Sequence, residues 1–236
     1  LNDNHTYLYI KKADASRVYG LELEHILSPN NINFLVYKDT LIEEHVLGIP
    51  GDQFLVENLK NVSASGLKRL SKEFVKFNER CMIRLLGDMR SYNYVIVASY
   101  DFDQVEYRIR AMDFDQQSFE GNLKVYFPQF FKENFPFVKM VSDNLQDESI
   151  EQYKKEERAA IARRLRGSQE RITDLLACMV NDKISTPEKI QQLKMDLKKY
   201  TNDKDFKNCN SMGGILKVAF GFVVRNYENV NTYIIH

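Results

Sequence analysis

Four side chains pose the chemical question in this chain. Asp88 stands five residues before Asn93, and a second acidic pair, Asp113 and Asp115, follows around Phe114. A positioned carboxylate can orient a hydroxyl or take its proton. An amide oxygen and a carboxylate are hard donors of the kind magnesium accepts, alongside phosphate oxygens and water. In this order the set reads as a phosphoryl-transfer centre. Asp88 would act on the acceptor hydroxyl, Asn93 and Asp113 would hold magnesium, and Asp115 would stand beside them. An Asp and an Asn at this spacing also suit an ordinary turn, because both side chains form Asx-turns. What separates the two readings is the element between the polar pairs.

Residues 94–99 (YVIVAS) are β-branched and apolar. Residues 105–112 (VEYRIRAM) alternate, with Val105, Tyr107, Ile109 and Ala111 on one face and Glu106, Arg108 and Arg110 on the other. A short polar link, residues 100–104 (YDFDQ), joins them, so the two runs are expected to form a β-hairpin. A hairpin brings the residue before its first strand beside the residue after its second, which would make Asn93 and Asp113 neighbours. Upstream, residues 63–86 predict a long helix, with Leu67, Leu70, Phe74, Phe77, Met82 and Leu85 near helical spacing. That helix would deliver Asp88 at its C-terminal end.

Taken together, D-x-x-x-x-N, a hairpin and D-F-D resemble the protein-kinase-like superfamily, most closely its aminoglycoside-phosphotransferase-like and other atypical branches. The resemblance implies that Asp88 is the catalytic aspartate and that Asn93 and Asp113 are metal ligands, with ATP and Mg as cofactors. Leu86-Gly87-Asp88 resembles the H-G-D of small-molecule phosphotransferases, with Leu86 in place of the histidine. Asp115 stands where D-F-G has glycine, and no A-P-E segment follows, which argues against a typical regulated protein kinase.

The resemblance extends upstream, over residues 6–116. Residues 41–55 (LIEEHVLGIPGDQFL) look like a kinase hinge, whose Glu44, His45 and Val46 would offer backbone groups to an adenine. Asp52 is a candidate ribose or substrate contact, although GIPGD also suits a plain strand-to-helix turn. Residues 5–12 (HTYLYIKK) alternate as a strand and end in two lysines, of which only one can face a given side. Lys11 is the first choice for a phosphate contact and Lys12 the second. Residues 16–27 read as a helix, from which Glu24 or Glu22 would pair with that lysine, although exposed Lys and Glu are more often solvated surface. No G-x-G-x-x-G occurs, and only residues 1–4 precede the first strand. The resemblance therefore implies either a reduced fold or a missing N-terminal segment.

The 236 residues carry 33 basic and 33 acidic side chains, so no net field draws the chain to nucleic acid or to an anionic membrane. No apolar run approaches the roughly 20 residues of a membrane span, and no signal peptide is read. Cys81, Cys178 and Cys209 are odd in number and far apart, as expected for reduced thiols. His5, His25, His45 and His236 are scattered, which leaves no histidine metal site and no Ser-His-Asp group. A cytoplasmic location is expected.

The remainder reads as helical. Residues 119–141 are rich in aromatics, read mainly as an anchor packing under the lobe. Residues 149–181 form a helix or a helix pair, whose arginines, interleaved with Glu151, Glu156, Glu157 and Glu170, read as a salt-bridged solvent face. Thr186-Pro187-Glu188 opens another helix, and a last one lies near residues 215–227.

The expected architecture is α+β: a bilobal protein-kinase-like fold with a reduced N-terminal sheet lobe and hinge (residues 1–55) and a larger, mostly helical lobe (residues 56–236). The expected activity is transfer of the ATP γ-phosphoryl group to a hydroxyl of an unknown small molecule or protein. A pseudokinase, or a kinase-fold scaffold binding nucleotide or protein, is the alternative.

Overall fold

The computed structural model describes residues 7–101 and 104–229. The start of the strand expected at residues 5–12, the tip of the hairpin, His5 and His236 lie outside the described residues.

The chain is α+β. A first antiparallel sheet has the order β1-β3-β2, built from β1 (Leu8–Lys12), β2 (Phe34–Tyr37) and β3 (Thr40–Glu44). The β2–β3 link is two residues, with Lys38 at φ 52°. Helix α1 (Ala15–Leu27) follows β1 directly, and the Asp14 side chain caps it by accepting from the Arg17 amide. A second antiparallel sheet, β4-β5-β6, contains β4 (Ile49–Pro50) and the hairpin β5 (Tyr94–Asp101) and β6 (Gln104–Ala111). Burial along β6 follows the alternation in the sequence: Ile109 and Ala111 are buried while Glu106 and Arg108 are exposed.

After β4 the chain turns through α2 (Gly51–Gln53) and a π-helical stretch, Phe54–Asn58, into α3 (Ala64–Arg84). Ser63 caps α3, its hydroxyl accepting from the Gly66 amide at 3.2 Å. At the other end Leu85 adopts φ 57°, and the Leu86 amide reaches back to the Cys81 carbonyl at 2.9 Å. That left-handed stop, paid for by burying Leu85 completely, ends the helix just before Asp88.

The second half is helical: α4 (Phe135–Asn144), α5 (Asp147–Gly167), α6 (Gln169–Asn181), α7 (Pro187–Thr201) and α8 (Met212–Tyr227). Residues 149–181 thus fall mostly in a helix pair broken at Ser168. Two apolar cores hold the molecule together. One joins α1, the first sheet, α3, the hairpin and α4 through Leu21, Leu41, Phe74, Ile109 and Phe137. This core runs across the division expected near residue 55, since β4 pairs with β5 and Phe54 is buried among α3 and hairpin residues. The other core packs the end of α3 against α5 to α8, through Ile83, Leu165, Leu176, Leu193 and Leu216.

The charged face expected over residues 149–181 is exposed at Glu151, Arg163, Arg166, Glu170 and Arg171, but the charges of α5 that face α3 need correction. Their ion pairs run between helices. Arg158 binds buried Glu79 of α3 at 2.7 Å, and Glu157 meets buried Arg80, which also holds Glu73 at 2.6 Å. Glu156 reaches Lys76 at 2.9 Å. A face that packs on α3 cannot be solvated, so its charges are compensated across the contact. Among the described residues, no helix is long and apolar enough to cross a membrane.

Candidate functional site

The hairpin sets the geometry. Tyr94 pairs with Ala111, and the Met112 amide donates to the Asn93 carbonyl at 2.9 Å. Asn93 and Asp113 therefore flank one end of the β5–β6 ladder. The loop carrying Asp88 is tied to the loop carrying Asp113 by an isolated antiparallel bridge between Leu86 and Gln117, with the Gly87 amide donating to the Gln116 carbonyl at 3.2 Å and the Ser118 amide to the Leu85 carbonyl at 2.7 Å. Gln117, fully buried, donates from its amide to the Leu85 carbonyl at 3.2 Å and to the Ser118 hydroxyl at 2.9 Å. Three non-glycine residues here hold positive φ: Leu85 at 57°, Asp88 at 57° and Ser118 at 53°. Each such residue costs on the order of 1 kcal/mol or more and persists only where surrounding bonds over-determine it; this network is what over-determines them.

The polar atoms are arranged in a definite way. The Asn93 side-chain NH2 donates to the Asp88 carbonyl at 2.7 Å and lies 3.4 Å from Asp88 Oδ2. This fixes the amide orientation and leaves Asn93 Oδ1 with no described partner. Asp113 Oδ1 accepts the Phe114 amide at 2.9 Å and the Asp115 amide at 3.4 Å, an Asx-type turn that leaves Oδ2 available. Two hard oxygens on adjoining backbones are thus uncommitted, which suits magnesium completed by phosphates and water. Among the described residues, no group of three His, Cys, Asp or Glu side chains is gathered to hold a metal unaided.

Several residues that sequence reasoning missed complete the site. Arg90 donates from Nε to Asp88 Oδ1 at 2.7 Å and from Nη1 to Glu133 at 3.0 Å, and its guanidinium lies over the Phe131 ring at 5.0 Å. The hydrogen bond to Asp88 raises the Arg90 pKa. Asn134 is fully buried, donates to the Met89 and Pro128 carbonyls at 2.9 and 2.7 Å, and accepts from the Tyr94 hydroxyl at 2.8 Å. It props the Asp88 loop from below. Arg17, from the first turn of α1, pairs with Asp14 and lies 3.7 Å from Asp115. Burial and the neighbouring Asp113 carboxylate raise the Asp115 pKa, Arg17 lowers it, and Asp88 and Asp14 add to the rise. Three carboxylates, Asp113, Asp88 and Asp14, thus bear on Asp115, with Arg17 opposing them. The Asp14 cap was readable as a helix-start signal; the reach of Arg17 and Arg90 was not.

The upstream assignments fare differently. Lys11 faces inward and Lys12 is exposed, but the expected ion pair does not form. Lys11 pairs with Glu43 on the adjacent strand. Glu24 is buried on α1 and pairs with buried Arg84 at the end of α3, and Glu22 pairs with Arg171 at 2.6 Å. The cause is the seat of α1. At Gly20 an added Cβ would stand 2.7 Å from Phe114 Cβ and 3.2 Å from Gln117 Cβ, so the helix lies directly on the acidic turn. That seat directs Glu24 to α3.

At the expected hinge, the His45 amide donates to the Tyr7 carbonyl at 2.9 Å and its ring meets the Tyr9 hydroxyl at 2.7 Å. The Glu44 amide donates to the Asn33 carbonyl at 2.9 Å and its carboxylate accepts from the Asn33 side chain at 2.7 Å. Glu44 and Val46 line a slot of only about 10 Å³ with Tyr9, Ile32, Glu43, Met112 and Phe114. Asp52 is exposed in α2. The segment and the acidic loop therefore meet across one narrow space. No family model, no curated protein and no solved structure matches this chain.

Proposed function

We propose that this chain is a magnesium- and ATP-dependent phosphotransferase of protein-kinase-like type, with a reduced sheet lobe and hinge (residues 1–55) and a helical lobe (residues 56–236). The observation that carries the reading is the hydrogen-bond state of Asn93 and Asp113. The amide nitrogen of one and a single oxygen of the other are spent on local hydrogen bonds, and the two residues flank the same end of one hairpin. A turn formed for its own sake would need neither the hairpin register nor the bridge from Leu86 to Gln117.

In this reading Asn93, Asp113 and Asp115 would hold magnesium, which when bound neutralises charge on the β- and γ-phosphates. The chain's own residues do the rest. Asp88 orients an acceptor hydroxyl and receives its proton, and Arg90 holds the Asp88 carboxylate in one rotamer while offering positive charge beside it. Glu44, His45 and Val46, at the end of β3 and just beyond it, would offer backbone groups to an adenine. Lys11 would contact phosphates after exchanging its Glu43 partner.

A second reading, a nucleotide-binding module without transfer, is favoured by that Glu43 pair, which occupies the phosphate lysine; in either reading the slot beside Glu44 must widen to admit a base, since about 10 Å³ is far below the roughly 300 Å³ at which small-molecule pockets begin. Calorimetric titration with Mg·ATP, paired with radiolabelled γ-phosphate transfer to water and candidate alcohols, separates them. Asp88→Asn should bind like wild type and lose turnover by about 10²–10⁴-fold. Binding without turnover in wild type would select the module, and no binding at all would overturn both.

A further inference from the structure

A cavity of about 340 Å³ opens between α3, α5, α7 and α8, on the helical side of the molecule. Its depth is apolar: Met82, Ile83, Leu197, Phe206 and Val223 are each less than one-tenth exposed, and Ala219 stands at that limit. Its mouth is polar, with Glu151, Lys154, Arg158, Tyr200, Thr201 and Tyr227. Such a volume with a few convergent polar groups is the usual form of a small-molecule site.

The chemistry of the mouth selects the ligand. Arg158 binds buried Glu79 at 2.7 Å and stacks on the Tyr227 ring at 5.3 Å. It also donates to the Tyr227 hydroxyl at 2.8 Å and reaches the Tyr200 hydroxyl at 3.5 Å. Each phenol oxygen accepts from the guanidinium, so each phenol proton is left to point elsewhere. Lys154 adds a third donor beside them, with Glu151 at 2.7 Å as its only described ion-pair partner. Glu151, paired with Lys154, is the one carboxylate in the lining, set against donors on Lys154, Arg158, Tyr200 and Tyr227, and the apolar floor lies behind them.

We propose that this cavity binds a monocarboxylate with an aliphatic tail. The carboxylate accepts from the Tyr200 and Tyr227 hydroxyls and Lys154, and the tail fills the space bounded by Leu197, Phe206 and Ala219. Burying the tail supplies affinity in proportion to its area, while the head fixes its direction. This site is separate from the Asp88 loop and stands whether or not phosphoryl transfer does.

The test is calorimetric titration of the full chain with decanoate below its micelle concentration, with decanol and butyrate as comparisons. Decanoate should bind saturably at one site, and butyrate at least about tenfold more weakly for want of a tail. Tyr200→Phe combined with Tyr227→Phe should weaken decanoate about tenfold or more and leave decanol unchanged. Ala219→Leu, which fills the floor, should abolish binding while its thermal midpoint stays at or above that of wild type. Equal affinity for decanoate and decanol would overturn the head-group assignment. Absence of decanoate binding, or undiminished binding to Ala219→Leu, would overturn the site.

Discussion

Gly20→Ala tests whether α1 truly rests on the acidic turn. Glycine inside a helix is worse than alanine by about 1 kcal/mol, so on propensity alone the substitution should stabilise. Contact opposes this. The new methyl would lie 2.7 Å from Phe114 Cβ, 3.0 Å from its ring and 3.2 Å from Gln117 Cβ. Carbon atoms prefer about 3.5–4.0 Å, so the helix and the loop must part by up to about 1 Å. Neither neighbour can yield cheaply, because Phe114 is 2% and Gln117 0% exposed and Gln117 is bonded to the end of α3. Overpacking of this kind costs typically 1–3 kcal/mol. After the propensity gain, and with Cβ–Cβ contact at the severe end of that range, a net loss of about 1–2 kcal/mol is expected, or roughly 3–6 °C in a chain of this size. The assay is urea denaturation beside Gly221→Ala, in the middle of α8, where the added methyl meets only the flexible end of Arg225 at 3.3 Å. Gly221→Ala should stabilise by about 0.5–1 kcal/mol. If Gly20→Ala stabilised equally, α1 would not be seated on Phe114, and the account of why Glu24 turns to Arg84 would fail with it.

Other expectations follow from the same contacts. Glu24→Ala leaves Arg84, 3% exposed, without its carboxylate and should cost about 3–5 kcal/mol in chemical denaturation, whereas Lys139→Ala, at a pair 75% and 54% exposed, should cost under about 1 kcal/mol; equal costs would mean that Glu24 does not compensate a buried Arg84. Asp115 has a raised pKa in the fold, so the folded state holds the proton more tightly than the unfolded chain, and stability falls as pH rises from the ordinary value of 3.8 through the folded value. Asp115→Asn should therefore be more stable than wild type near neutrality, with the gap closing as pH falls through that window. A gap that did not change with pH would mean that Asp115 carries no such penalty.

The parts of the site that were legible in the sequence are those set by local pattern. Two short β-rich runs with a polar link fixed the hairpin, and the hairpin alone makes Asn93 and Asp113 neighbours. The apolar spacing of α3 and the serine at its start gave a helix ending beside Asp88. A second two-residue hairpin, β2–β3, carries no such signal at Lys38 and Asp39, because lysine at positive φ is an unusual turn residue. The partners of Lys11 and Glu24 were not legible, since they depend on how α1 is set against α3 and the acidic turn. The α5 charges misled for a related reason: interleaved Glu and Arg look the same whether they face water or another helix. Asn134 gave no signal, lying forty residues from the Tyr94 hydroxyl that it binds.

The most direct test of the account is the thermal midpoint with and without Mg·ATP, for wild type and Asp113→Ala. Ligand at about a hundred times its dissociation constant should stabilise wild type by about 2.7 kcal/mol, or roughly 5–10 °C, only when magnesium is present, and leave the variant unmoved. The same rise in Asp113→Ala, or a rise in wild type that does not need magnesium, would contradict a metal–nucleotide centre built on Asn93 and Asp113.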